Sequence, residues 1–199
     1  MKQQIGEISE VQIWRRLVHI SAGSFFPIAA LWTNQMLILV FAIIATTIIL
    51  TLEGIRLYYL PINQKVIQYL GPLLKPGEER KFLGATYLLL ATTLSFLLFE
   101  IWAAIPALLF LSLGDPISAL VGRRLRFGRL GRKSVPGAIA LFMVTIVIAL
   151  GLTTWSTIPS VEILLYGGAV AALIELLPLP LDDNFTIPLA SGTVIMLLA

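Results

Sequence analysis

The sequence predicts an all-α fold: a polytopic integral membrane protein with about seven transmembrane helices, a broken fourth helix and an interfacial amphipathic helix. Three observations predict it. Of 199 residues, 58% are hydrophobic and 13% charged, with a mean hydropathy of +0.93, far from the composition of soluble domains. The charges are gathered into a few short stretches, and the apolar runs between them are nearly neutral. Glycine, proline and acidic residues punctuate those runs where helices would begin and end. One transmembrane domain, residues 1–199, is expected, with its most polar loop at about 114–137.

Residues 1–16 are polar, with Ile5, Ile8, Val11, Ile13 and Trp14 spaced among them, which suits a helix at the interface. They carry both signs of charge and no compact apolar core ending in a cleavage site, so no removable signal peptide is expected. A first span follows at about 17–32, with Trp14 and Trp32 where indole rings prefer to sit. After the Thr33-Asn34 turn, a second span runs from Met36 to about Leu52 and ends at Glu53-Gly54-Ile55-Arg56. In 57–81, Ile62, Val66, Tyr69, Leu70 and Leu73 recur at helical spacing opposite Asn63, Gln64, Lys65 and Gln68, the pattern of an amphipathic surface helix. Gly71-Pro72 and Pro76-Gly77 break it, and Glu78 and Glu79 sit at the favourable end of the next helix.

The third span is about 82–99, and the fourth starts at Ile101. Gly114-Asp115-Pro116 interrupts that fourth span, and Asp followed by Pro fits an N-cap and first helical residue, so a second helical piece is expected to restart there and run to about Arg126. The fifth span is about 138–155 and the sixth about 161–177. A final apolar stretch, 185–199, is roughly 22 Å long at about 1.5 Å per residue, short for a hydrocarbon core of about 30 Å.

The segment 114–137, GDPISALVGRRLRFGRLGRKSVPG, holds six of the fourteen Lys and Arg residues and one acid, Asp115. Backbone N–H groups and cations there can surround phosphate oxygens while a carboxylate holds a divalent cation. Gly131-Arg132-Lys133-Ser134 is not a P-loop, because the G-x-x-x-x-G-K-S/T spacing is missing. The remaining basic residues fall at Lys2, Arg15 and Arg16, and at Arg56, Lys65, Lys75, Arg80 and Lys81. Alternating spans put all three groups on one side, which the positive-inside rule makes cytoplasmic. Asp115, Lys133, Glu175, Asp182, Asp183, Glu53, Arg56, Arg15, Arg16 and His19 are then expected on that face. A basic loop of this kind also serves as a topology signal or an anionic-lipid contact, Glu53 and Arg56 at i and i+3 also read as a local ion pair, and Asp182-Asp183-Asn184 also reads as a helix cap. Glu175 stands apart, since an acid within an apolar span faces a polar interior or partner. No cysteine and one histidine exclude disulfides, a thiolate metal site and a multi-histidine site.

Assembled in order, these residues resemble the CTP-dependent lipid-alcohol kinases: the phytol kinase, dolichol kinase and CTP-dependent diacylglycerol kinase family, more distantly related to phosphatidate cytidylyltransferases. The resemblance rests on Arg15-Arg16-Leu-Val-His19-Ile, Glu53-Gly-Ile-Arg56 and Gly84-Ala-Thr-Tyr87. It rests further on Gly114-Asp115 with Ala119 and Gly122, then Gly128, Lys133-Ser134 with Gly137, and Glu175 followed by Asp183-Asn184-Phe-Thr-Ile-Pro188. It implies transfer of a phosphoryl group from CTP to a polyprenol, dolichol, phytol or diacylglycerol hydroxyl, with Mg²⁺, in a plasma (inner) membrane with the site facing the cytoplasm. On this resemblance Gly114, Asp115, Gly122, Arg123, Gly128, Arg132, Lys133, Ser134 and Gly137 bind the nucleotide. Asp115, Glu175, Asp182 and Asp183 hold the metal, and Arg15, Arg16, Glu53, Arg56 and Asn184 contact phosphate or substrate. Catalysis falls to Asp115, Lys133, Asp183 and His19, with either an aspartate or His19 taking the hydroxyl proton. The chain departs from the family at Pro136, where an acid often stands before the last glycine, which turns attention to Asp115 and Asp183 for that acid's role. The partners expected are CTP, the lipid alcohol and the bilayer, with no nucleic acid, and a homo-oligomer is admitted. The competing readings are a cytidylyltransferase acting on a lipid phosphate, and a non-catalytic scaffold or transporter binding anionic lipid.

Overall fold

The structure, a computed structural model, describes residues 2–71, 74, 77–125, 127–131, 133–155 and 157–199, with side chains from Ile13 onward. Among them are eight α-helices: α1 (Lys2–Ala30), α2 (Gln35–Tyr58), α3 (Leu60–Leu70), α4 (Gly84–Leu98), α5 (Ile101–Arg124), α6 (Val135–Leu152), α7 (Val161–Leu176) and α8 (Asp183–Leu198). A 3-10 turn, Glu78–Arg80, precedes α4. The all-helical expectation therefore holds, apart from a hairpin of two-residue strands, β1 (Arg129–Leu130) and β2 (Lys133–Ser134). Gly128 and Gly131 adopt φ of +58° and +62° around β1, a region that side chains with a Cβ rarely enter.

Three helices, α2, α5 and α6, are long and apolar enough to cross a membrane, and α4 and α8 are shorter apolar helices. The other expected spans fall on α1 and α7. The amphipathic segment is α3, which exposes Ile62 and Tyr69 and buries Asn63. The Pro72, Leu73, Lys75 and Pro76 part of that segment lies outside the described residues.

The fourth helix is not broken. α5 runs unbroken through Gly114-Asp115-Pro116, and Pro106 lies inside it as well. A proline removes one backbone donor and crowds the preceding turn, but neighbouring helices enclose this stretch, and that enclosure keeps the helical path. α5 touches α1, α4, α6, α7 and α8, and every residue from Ala103 to Ser112 is buried. It is the axis of the molecule. Within the basic segment α5 ends at Arg124, close to the expected end at about Arg126, and α6 begins at Val135, slightly before the expected start at about 138.

Lipid tails are as apolar as leucine, so helices in a bilayer associate through close packing of small residues and through interhelical hydrogen bonds. Both are present. Ser24 Oγ and Ser112 Oγ join α1 to α5 at 2.9 Å, and a Cβ on Gly23 would lie 2.7 Å from Ser112 Cβ. Thr46 Oγ1 donates to the Leu89 carbonyl at 3.0 Å, linking α2 to α4. Gln35 donates to the Phe96 and Phe99 carbonyls at 2.9 and 2.8 Å and accepts from Ile101 N at 3.1 Å, closing the α4–α5 turn. The short last apolar stretch is α8, which packs on α4, α5 and α7 and buries Ile187, Ser191, Gly192 and Ile195. Exposed Phe41, Val147 and Leu197 face outward, as lipid-contacting positions require.

Candidate functional site

Three acids from three helices meet beside β2. Asp115 of α5, Glu175 of α7 and Asp183 of α8 each place a carboxylate oxygen within 4.8 Å of the others. Lys133 of β2 reaches into the group, its Nζ donating to Asp183 Oδ2 at 2.5 Å and Glu175 Oε2 at 3.1 Å. Ser118 Oγ donates to Glu175 Oε1 at 2.7 Å. Burial alone would pull the Lys133 pKa down, but the Glu175 and Asp183 carboxylates outweigh it and hold the pKa above its ordinary 10.5. Lys133 is therefore a cation at any working pH. Three carboxyl groups drawn from three helices, beside one ammonium, make an oxygen-rich site of the kind that suits a divalent hard cation.

Local structure explains how Lys133 arrives there. Ser134 caps α6 by accepting from Gly137 N at 3.3 Å, and Pro136 occupies the first turn, where a missing N–H costs nothing. Pro136, the departure from the resembled family, is thus a helix-starting residue that fixes the approach of β2. Gly137 and Gly122 let α5 and α6 close together: a Cβ on Gly137 would lie 2.8 Å from Ser118 Oγ, and one on Gly122 2.5 Å from Ser134 Oγ. A Cβ on Gly114 would lie 2.8 Å from Leu141 Cγ. These three glycines serve helix contact in the structure, and Gly128 serves the turn into the hairpin.

A cavity of about 300 Å³ adjoins the cluster, bounded by α1, α3, the 78–85 segment, α5 and α8. Its polar lining includes Arg15, Arg16, His19, Asp115 and Asn184, and its apolar lining includes Val18, Ala22, Leu70, Leu83 and Leu88. His19 Nε2 stands 4.0 Å from Asp115 Oδ2. Asp115 is the one carboxylate of the three that also lines this cavity. Burial, then the charges of Arg123 and Arg15, pull the Arg16 guanidinium below its ordinary value against the opposing pull of Asp115. Cations crowded in this way attract an anion.

The remaining predicted residues lie apart from the cluster or support it. Asp182 caps α8, accepting from Asn184 N at 3.0 Å, and Asn184 Nδ2 donates to the Gly84 carbonyl at 3.0 Å. Glu53 and Arg56 form a buried ion pair away from the cluster and do not line the cavity. Arg123 is exposed on the last turn of α5, and Arg132 lies outside the described residues. Sequence reasoning missed Ser118, which bonds Glu175. Ser118 was detectable in principle, since it follows Asp115 by three residues and so shares its helical face.

No family model matches the chain, and no solved structure matches it. It is similar to an uncharacterized protein of Rickettsia prowazekii (strain Madrid E), with 27% identity over 185 residues that cover 88% of this chain and 89% of that one.

Proposed function

We propose that this protein transfers the terminal phosphoryl group of CTP to the hydroxyl of a membrane lipid alcohol with Mg²⁺. Candidate acceptors are polyprenol, dolichol, phytol and diacylglycerol. The observation that carries this reading is the juxtaposition of the Asp115, Glu175, Asp183 and Lys133 cluster with a cavity that is apolar on one part of its lining and cationic on another. Phosphoryl transfer needs charge neutralisation and alignment more than covalent help. Asp115, Glu175 and Asp183 would hold Mg²⁺, which when bound supplies charge neutralisation on the phosphate oxygens. Lys133, with Arg123 and the hairpin N–H groups, holds the phosphates. The acceptor alcohol lies in the cavity, its tail along Val18, Ala22 and Leu88. His19, with Asp115 behind it, takes the hydroxyl proton as the alcohol oxygen bonds to phosphorus and CDP leaves. The preference for CTP comes from the resemblance. In this reading α1, α4, α7 and α8 also span, giving seven spans, with α3 at the interface and the basic segments on the cytoplasmic side of the inner membrane.

One observation favours a second reading. The crowding of Arg15, Arg16 and Arg123 near the cavity also fits a lipid that already bears a phosphate, the acceptor of a cytidylyltransferase. The released product separates the two: the kinase releases CDP, and the cytidylyltransferase releases pyrophosphate. Purified protein incubated with CTP, Mg²⁺ and either a lipid alcohol or phosphatidate is expected to yield CDP with the alcohol only. Pyrophosphate with phosphatidate would select the second reading. A scaffold or transporter would show no Mg²⁺-dependent nucleotide binding and no response to neutralising Asp183.

A further inference from the structure

Arg56 lies in the last turn of α2, 3% exposed, and its partner Glu53 is 2% exposed. A buried ion pair is costly to desolvate and is tolerated when its remaining donors and lone pairs are satisfied. Here the bonds of the two terminal guanidinium nitrogens go largely to the backbone of one segment, while Nε is buried without a partner among the described residues. Arg56 Nη1 donates to the Glu78 carbonyl at 3.1 Å and to Asn63 Oδ1 at 3.2 Å, while Nη2 donates to Glu53 and to the Lys81 carbonyl at 2.6 Å. Asn63 Nδ2 donates to the Glu79 carbonyl at 2.9 Å, and Glu53 Oε2 accepts from Thr86 Oγ1 at 2.9 Å. Side chains from α2 and α3 thus hold the carbonyls of Glu78, Glu79 and Lys81, in and just after the 3-10 turn that leads into α4.

The segment held in this way is a wall of the cavity, to which it contributes Glu78, Leu83, Gly84 and Ala85. The bonding continues inward. Glu78 Oε1 accepts from Gly84 N at 2.8 Å, and the Gly84 carbonyl accepts from Asn184 Nδ2. Asn184 follows Asp183, the ligand of Lys133. A chain of hydrogen bonds and one peptide link therefore joins the buried pair to the carboxylate cluster. We propose that Arg56 is a positioning residue: together with Asn63 it fixes the 78–85 wall and, through Asn184, the placement of Asp183. As a statement about the acceptor site this rests on the function proposed above, but the mechanical part stands by itself.

The chain has no cysteine, so single introduced cysteines report on separate places. Leu83→Cys reports on the cavity wall, and Ala171→Cys, at a fully buried position of α7, reports on global opening. Arg56→Lys keeps a cation beside Glu53 and loses the forked hold on the two carbonyls. Asn63→Ala leaves the ion pair in place and frees the Glu79 carbonyl, so it gives the answer if Arg56→Lys does not fold. Either change is expected to raise the rate of N-ethylmaleimide labelling at position 83 about tenfold while position 171 stays unlabelled, because a half-buried carbonyl that loses its donor no longer ties the segment down and favours local opening. It also raises KM for the lipid alcohol more than it lowers kcat. Unchanged labelling at position 83 in Asn63→Ala, or an equal rise at position 171, overturns the proposal. If the wild type transfers no phosphate at all, the functional reading falls, and the labelling still decides the positioning role.

Discussion

Lys133→Ala is expected to lower CTP-dependent phosphorylation of a lipid alcohol by about 10³-fold, the scale set by losing one preorganised charge at a developing phosphate. Lys133 Nζ sits between Glu175 and Asp183, at 3.1 and 2.5 Å. Its removal leaves two carboxylates facing each other beside Asp115, with no cation between them among the described residues. The nucleotide phosphates lose their charge-assisted donor at the same time. Initial rates in vesicles, with folding checked by size-exclusion chromatography, measure the effect. Near-wild-type turnover would remove Lys133 from the chemistry. The pH behaviour of the ion pairs follows from the raised Lys133 pKa. On the alkaline side the lysine's contribution to stability is present below its ordinary value of 10.5 and is lost as pH rises through the higher folded value. On the acid side the pairs are lost as the carboxylates protonate, and burial raises the Asp183 pKa so that this begins at a higher pH than for a free aspartate.

Asp115→Asn is expected to cost about 10²- to 10⁴-fold in rate by weakening both the metal set and the support of His19, the range for losing a positioned acid–base partner. Its effect on stability has the other sign. Asp115 places a carboxylate oxygen within 4.8 Å of those of Glu175 and Asp183, and an amide there removes one acid from a crowded group. Stability in the absence of divalent cation should therefore hold or rise while activity falls, the pattern of a site kept under electrostatic stress for function. Thermal unfolding with EDTA, set beside turnover across a Mg²⁺ titration, reads both. A fall in stability that parallels the fall in rate would make Asp115 a structural residue.

The helical class was legible because composition and charge placement leave few other ways to satisfy a backbone in lipid. The convergence of Asp115, Lys133, Glu175 and Asp183 was also within reach, since counting basic segments by side puts these residues at one membrane face without any knowledge of packing. Three features were not. Gly114-Asp115-Pro116 carries every local signal of a break, yet α5 continues through it because five other helices surround that axis. Local sequence does not report such enclosure. The glycines at 122 and 137 look like phosphate-loop residues in a basic stretch, and nothing local shows that they also permit close approach to Ser134 and Ser118 on neighbouring elements. Glu53 and Arg56 at i and i+3 read as a local ion pair, with substrate contact implied only by the resemblance, and the carbonyls of 78–81, distant in sequence, show where the guanidinium points.

The central claim is that the carboxylate–lysine cluster and the adjoining cavity act together on a nucleotide and a lipid alcohol. Its most direct test is purified protein in vesicles given CTP labelled on the terminal phosphate, with farnesol, phytol, a long polyprenol or diacylglycerol. The account predicts labelled lipid phosphate from at least one alcohol, dependent on Mg²⁺ and absent in Lys133→Ala. No labelled lipid from any of the alcohols, with the wild type folded and Mg²⁺ present, would contradict it.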